Sequence, residues 1–273
     1  MSFPPKLMKN NYHTHMYLCR HANGSVKEYV EEAIRMGFAS LGMSDHAPFR
    51  ELMDRSVRMD PEDLETYLKE CDDAIENYKN EIIVYKALEI EYFPQYHSLY
   101  EQYLDQLDYL ALGQHYIPDA DSFRGLRSCY RLLTQEHVRV YVDTLVKAME
   151  TKYFQFICHP DLMLYNFLSL DQTIMNECER LIVEAVKNKI PLEINVNGIR
   201  KGKRLTKSGI RYLYPRLEFW QLVKKHKPKV IISSDAHDPS QVYDQAVVEA
   251  YEFARQLGIE VEEAIDIRKH RRK

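Results

Sequence analysis

The chain has 273 residues, of which 45% are apolar and 29% charged, and carries a net charge of −4. That is enough apolar material for one large α/β barrel or two ordinary domains, and too much for a disordered chain. The acidic balance excludes a general attraction to nucleic acid or to anionic membranes, and no stretch approaches the roughly eighteen apolar residues of a membrane span.

Strand-like and helix-like segments alternate along the chain. A first strand is expected at residues 12–15. Ser25 and Glu28 form a capping-box pattern that opens a helix with Tyr29, Val30, Ala33 and Ile34 on one face, and Gly37 closes it. A strand follows at 40–44. Asp60-Pro61 opens a second helix, which runs to about residue 80. Strand 82–90, helix 96–105, strand 109–112, helix 135–151 and strand 154–158 come next. Then follow helix 170–188, strand 191–196, helix 215–226, strand 229–233 and helix 241–257. Seven strands separated by helices predict parallel pairing with the helices outside. With no Gly/Ser-rich linker, the expectation is one closed barrel spanning residues 1–273. A doubly wound open sheet is the alternative, but no GxGxxG follows the first strand.

Residues 1–10 hold two prolines and no apolar stretch of signal-peptide length. The five cysteines are odd in number and lack CxxC spacing, so neither a disulfide framework nor a zinc–thiolate knot is expected. A cytoplasmic setting fits best. The one charge run, residues 268–273, reads as a solvated tail, with a nucleic-acid arm as the minor alternative.

Seven of the eleven histidines, His13, His15, His21, His46, His115, His159 and His237, stand at the ends of short apolar runs, in stretches several of which also hold Asp, Gly or Pro. Neutral imidazole is the commonest protein ligand for zinc-like metals. His13 and His15, at i and i+2 on a strand, point to one side, and Asp235 and His237 repeat that spacing after the last strand. In a closed barrel the first and last strands are neighbours, so the two pairs would face each other. Glu89 ends the third strand, where a carboxylate needs a partner, and a position between two metals supplies one. His115 and His159 end the fourth and fifth strands.

The series His13-x-His15, His21, Ser-Asp45-His46, Glu89, His115, His159-Pro-Asp161 and Ser-Asp235-Ala-His237 resembles the motifs of the PHP (polymerase and histidinol phosphatase) superfamily. Within it the chain most resembles the stand-alone histidinol-phosphatases, through Ser44-Asp-His-Ala-Pro48, Leu88-Glu-Ile-Glu-Tyr-Phe93, Leu192-Glu-Ile-Asn195, Gly198-Ile-Arg200 and Ser234-Asp-Ala-His237. The resemblance implies a distorted (βα)7 TIM-like barrel of the PHP fold and three divalent metal ions, for which the donor set suits zinc, iron or manganese. Carried over by position, it implies His13, His15, Glu89 and Asp235 around one ion. Glu89, as a bridge, would hold the second with His115 and His159, and His21, His46 and His237 would hold the third. Two departures stand out: Gly113-Gln-His115, and a basic insert at 201–214.

Clustered cations favour phosphoester hydrolysis. The resemblance implies a small phosphomonoester, L-histidinol phosphate, hydrolysed to L-histidinol and phosphate. A PHP phosphoesterase or exonuclease acting on nucleotides or short nucleic acid is the alternative, with a metal-binding protein that has lost turnover as the third. Asp161 is expected to transfer the proton to the leaving group, with Asp45 as the alternative or as the residue orienting a histidine. Arg200 is expected to grip phosphate with two prongs. Glu91, Tyr92, Asn195 and Asn197 are placed to read the rest of the substrate.

Overall fold

The computed structural model describes residues 7–49, 56–122, 125–207 and 209–267. Seven parallel strands form one sheet: β1 (Asn10–Asn11), β2 (Ser40–Met43), β3 (Ile83–Ile90), β4 (Tyr109–Leu112), β7 (Phe154–Ile157), β8 (Leu192–Asn195) and β11 (Val230–Ser233), in that spatial order. The order follows the sequence, as expected when every strand returns through a helix on the outside. Those helices are α1 (Val26–Met36), α2 (Leu64–Tyr78), α3 (His97–Leu104), α4 (Gln135–Thr151), α5 (Gln172–Asn188), α7 (Leu217–His226) and α8 (Gln245–Leu257).

Local chemistry sets the helix ends. Ser25 and Glu28 form the expected capping box on α1, and Gly37 ends it in the left-handed conformation. Thr134, Asp171 and Asp244 cap α4, α5 and α8 by accepting backbone N–H bonds, which satisfies donors the helix leaves open.

The sheet closes almost completely into a barrel. The buried Asn11 joins its two edges: its Nδ2 donates to Ser234 Oγ at 2.6 Å, and its Oδ1 accepts from Ser234 N at 3.0 Å. Beyond β1, Thr14 bridges Ala236, and His15 N donates to Ala236 O at 2.9 Å. The first strand is therefore only Asn10–Asn11, not 12–15. The histidine segment leaves the ladder and is held by single contacts at the mouth.

The main core lies between strands and helices, while a smaller cluster of Tyr12, Ala87, Tyr109, Ala111, Phe156, Cys158 and Ile231 fills the barrel interior. Tyr109 OH donates to Tyr12 O at 2.6 Å across that interior. Ile265 and Ile267 pack against this cluster from the far end. The barrel is thus plugged at one end, and polar chemistry is confined to the carboxyl ends of the strands.

Two small antiparallel hairpins were not anticipated: β5 (Tyr116–Pro118) with β6 (Leu126–Ser128), and β9 (Lys203–Thr206) with β10 (Gly209–Tyr212). The second is the basic insert. It follows a short helix, α6 (Val196–Arg200), capped by Asn195. All five cysteines are buried and free. No helix among the described residues is long and apolar enough to cross a membrane. The basic run 268–273 lies outside the described residues.

Candidate active site

The strand ends converge on one cavity of about 420 Å³. His13 and His15 arrive from the segment after β1 and stand buried behind the cavity, His21 comes after the turn Tyr17–Cys19, His46 after β2, Glu89 on β3, His115 after β4, His159 after β7, and Asp235 and His237 after β11. The nine expected ligands therefore come together, although they span more than 220 positions of the chain.

Their ring nitrogens are arranged in a consistent way. His13 Nδ1 donates to Glu193 Oε1 at 2.8 Å and His15 Nδ1 to Asp45 Oδ1 at 3.2 Å. Carboxylates only accept, so in the neutral form of each ring Nε2 carries a lone pair, and these two nitrogens face one another at 3.1 Å. His21 and His237 repeat the pattern. Their Nδ1 atoms bond the carbonyls of Cys19 and Asp235 at 2.9 and 3.1 Å, and their Nε2 atoms face each other at 2.9 Å. Two lone pairs at such distances repel unless a cation lies between them.

The carboxylates complete the arrangement. Asp235 Oδ1 is buried without a hydrogen-bond donor and lies 3.0 Å from His15 Nε2 and 3.7 Å from His13 Nε2. Glu89 divides its two oxygens. Oε1 is 2.8 Å from His159 Nε2 and 3.6 Å from His115 Nε2, whereas Oε2 is 3.1 Å from His46 Nδ1, 3.4 Å from His13 Nε2 and 3.6 Å from His15 Nε2. Ligand bonds of about 2.0–2.2 Å place neighbouring ligand atoms roughly 3–3.5 Å apart, so this donor set fits zinc-like ions. His46 sits nearer to Glu89 than a purely third-site ligand would, and it groups with His15 and His237.

The electrostatics differs from ring to ring: burial opposes a charge on His13 and His15, but Cys158 and the carboxylates around them outweigh it and raise both, so without metal these two rings hold protons that a cation would replace. Burial opposes ionisation of Glu89 and Asp235, yet the surrounding imidazoles, His115 and His13 foremost, hold both carboxyls well below their ordinary values. Burial and neighbouring imidazoles push His237 down to about 3, and His46 also well down. These rings are neutral at pH 7, the state in which imidazole binds a metal. His159 and Asp235 also hold positive φ, 31° and 44°, a backbone region that tends to mark functional sites.

The supporting residues are distributed differently from the expectation. Arg200 does not line the cavity. Its guanidinium is consumed by Asp244 (2.8 and 3.2 Å), Ser234 O (2.5 Å) and Gln241 O (2.8 Å), and so ties α6 to the loop after β11. Glu91 is buried in an ion pair with Arg58 at 2.8 Å and accepts from His115 Nδ1 at 3.2 Å. Burial opposes its charge, but Arg58 and His115 hold it at about 2. Asn195 is spent on Gly198 N, Glu193 and Asp235. Neither Glu91 nor Asn195 therefore has a free polar atom for a substrate.

Asp161 also turns away from the cavity. Its Oδ2 accepts from Arg216 N at 2.5 Å and Trp220 Nε1 at 3.1 Å, burial pushes it up to about 7, and it is not among the residues that line the cavity. Asp45 orients His15. The cavity wall is instead built by Arg58, Tyr116, Ser128, Tyr130, Asn197 and Lys201. Only Asn197 among these was singled out from sequence. Lys201 was visible only as part of a basic stretch, and Arg58 lies between elements where no pattern marks it.

A PHP domain model matches residues 11–197. The chain belongs to the PHP domain family. It is 24% identical over 266 residues to a protein named histidinol-phosphatase from Bacillus subtilis, covering 86% of this chain and 96% of that protein. Its fold is similar to the crystal structure of histidinol phosphate phosphatase from Lactococcus lactis complexed with zinc, L-histidinol and phosphate. The TM-score is 0.68 at 17% identity, covering 93% of this chain and 95% of that one. At that identity the likeness is one of fold. In this PHP chain the residues that the motif resemblance singled out lie together at the barrel mouth.

Proposed function

We propose that this protein is a metal-dependent phosphomonoesterase that hydrolyses L-histidinol phosphate to L-histidinol and phosphate in the cytoplasm. The observation that carries the metal reading is the pair of facing Nε2 contacts, His13 with His15 and His21 with His237, beside the unpaired Asp235 Oδ1. The substrate reading is supported by family membership and by the relatives named above. Three divalent ions, zinc, iron or manganese, would be held by His13, His15, His21, His46, Glu89, His115, His159, Asp235 and His237. When bound, such ions supply Lewis acidity to the phosphoryl oxygens and activate the attacking water.

The chain's own residues do the remainder. Glu89 offers an oxygen to each side and so keeps the two halves of the cluster in register. Asp45 and Glu91 fix the tautomers of His15 and His115. On the cavity wall, the charge of Arg58 is balanced by Glu91. Lys201, whose Nζ lies 5.7 Å above the Tyr130 ring, is the cation aimed at a phosphate, replacing Arg200 in that role. Tyr116 and Tyr130 give apolar faces for an imidazole, with Ser128 and Asn197 as polar neighbours.

A panel of L-histidinol phosphate, nucleoside monophosphates and a short oligonucleotide tests this reading. Phosphate release should be fastest from histidinol phosphate. Preferential cleavage of the nucleotides or the oligonucleotide would overturn the substrate assignment, and no turnover of any would overturn the enzyme.

Lys201→Ala is expected to keep the metals and raise KM about tenfold, matching the ~1.5 kcal/mol of one hydrogen bond to a charged group. Arg200→Ala should act first on stability, because four hydrogen bonds are lost and Ser234 O is released beside Asp235. Wild-type kinetics for Lys201→Ala would remove Lys201 from substrate binding.

Gly113 gives a steric test of Glu89. A Cβ there would stand 1.9 Å from Glu89 Oε1 and 2.4 Å from its Cδ. Gly113→Ala should displace the carboxylate, costing about 1–3 kcal/mol in overpacking and lowering both metal content and turnover. Full metal content and activity would show that Glu89 position is not critical.

A further inference from the structure

Six of the seven barrel strands carry or lead into a candidate ligand. β8 does not. Yet Glu193 and Asn195 on β8, two residues apart and so on one side of the strand, are both buried and touch residues from three other strand ends. We infer that the Glu193–Asn195 pair of β8 is the positioning device of the metal cluster, setting the tautomer of His13, the backbone of His159 and the carboxylate of Asp235 together. This rests on the metal reading proposed above.

Glu193 uses both oxygens. Oε1 accepts from His13 Nδ1 at 2.8 Å, which places that ring's proton on Nδ1 and leaves Nε2 free to face His15, Glu89 and Asp235. Oε2 accepts from His159 N at 3.0 Å, pinning a residue whose φ of 31° an L side chain seldom adopts. The same oxygen accepts from Asn195 Nδ2 at 2.8 Å. The second hydrogen of Asn195 Nδ2 goes to Asp235 Oδ2 at 3.0 Å, which turns Oδ1 toward His15. Asn195 Oδ1 accepts from Gly198 N, so the amide cannot flip without uncapping α6. Every polar atom of the pair is committed, and each commitment orients a candidate ligand or holds the pair in place. An apolar side chain would fill the same interior position, so a carboxylate with three donors implies a task beyond packing.

Glu193→Gln is the sharp variant. It preserves the shape but replaces one oxygen by an NH2 group. Facing His13, that group meets an N–H; facing His159 and Asn195, it meets two. Either orientation breaks part of the device. Zinc affinity, measured on the full-length protein by competition with a chromophoric chelator, is expected to fall roughly 10- to 100-fold. The rise in melting temperature on adding zinc should shrink with it.

A merely structural role would lower the melting temperature with and without zinc alike and leave both the rise and the affinity unaltered, and that result would overturn the assignment. Should Glu193→Gln fail to fold, Glu193→Asp is read the same way, since its carboxyl retreats from His13 and His159 by one methylene. Wild-type protein that takes up neither zinc, iron nor manganese would defeat the metal reading itself. Wild type that binds zinc beside a Glu193→Gln variant that binds it equally well would defeat this assignment alone.

Discussion

Glu89→Gln is expected to lower kcat/KM at least about a thousandfold, the effect of roughly 4 kcal/mol of lost transition-state stabilisation. The side chain keeps its volume, and the apolar strand around it, Leu88 and Ile90, is undisturbed, so the fold should survive. What changes is the pairing. Glu89 Oε1 lies 2.8 Å from His159 Nε2, and Oε2 lies 3.1 Å from His46 Nδ1. An amide offers one acceptor where two are needed and presents N–H groups to the other side. Loss of the negative charge would also leave bound cations on one side without a carboxylate to balance them. Kinetics on L-histidinol phosphate, elemental analysis and circular dichroism together check this. Near-normal activity with full metal content would show that Glu89 does not join the two halves of the cluster.

The positions of the candidate ligands were legible in the sequence because all but His21 lie at or just beyond a strand end, and alternation of strands with helices puts all strand ends on one side of a barrel. The capping box at Ser25 and Glu28 and the stop at Gly37 were legible because they are local chemistry. The supporting residues were not, and α6 shows why. Residues 197–200 read as the loop after the sixth strand, which offered no way to tell where Arg200 and its neighbour Lys201 would point. The structure winds them into a helix begun by Asn195, where successive side chains diverge by about 100°. One then points at Asp244 and its neighbour at the cavity.

Glu193 was visible as part of a motif but had no role, because its partners His13 and His159 lie 180 and 34 residues away. Asp161 illustrates the opposite error. Its place two residues after His159 suggested the cavity, but the backbone turns at His159 and sends the carboxylate to Trp220.

Metal removal should be the largest perturbation of stability. An ion that binds only the folded barrel adds RT ln(1 + [L]/Kd), which is about 4 kcal/mol at a thousandfold excess over Kd. For a chain of this size each kcal/mol moves the melting temperature by roughly 2–4 °C, so stripping even one such ion should lower it by about 8–16 °C. Protons can replace the cations only in part. In the metal-free protein, burial works against a charge on His15, but Asp235 and Asp45 outweigh it and raise its pKa to about 9. A raised pKa in the folded state contributes stability that is complete below the unfolded value near 6.5 and is lost as pH climbs through 9. Chelation should therefore cost more at pH 9 than at pH 6.5. Calorimetric melts of the protein as purified and after exhaustive chelation, at both pH values, measure the two effects. Melting temperatures that coincide with and without chelator at pH 9 would mean that the barrel mouth holds no tightly bound ion, and that the facing imidazoles are reconciled by protons alone.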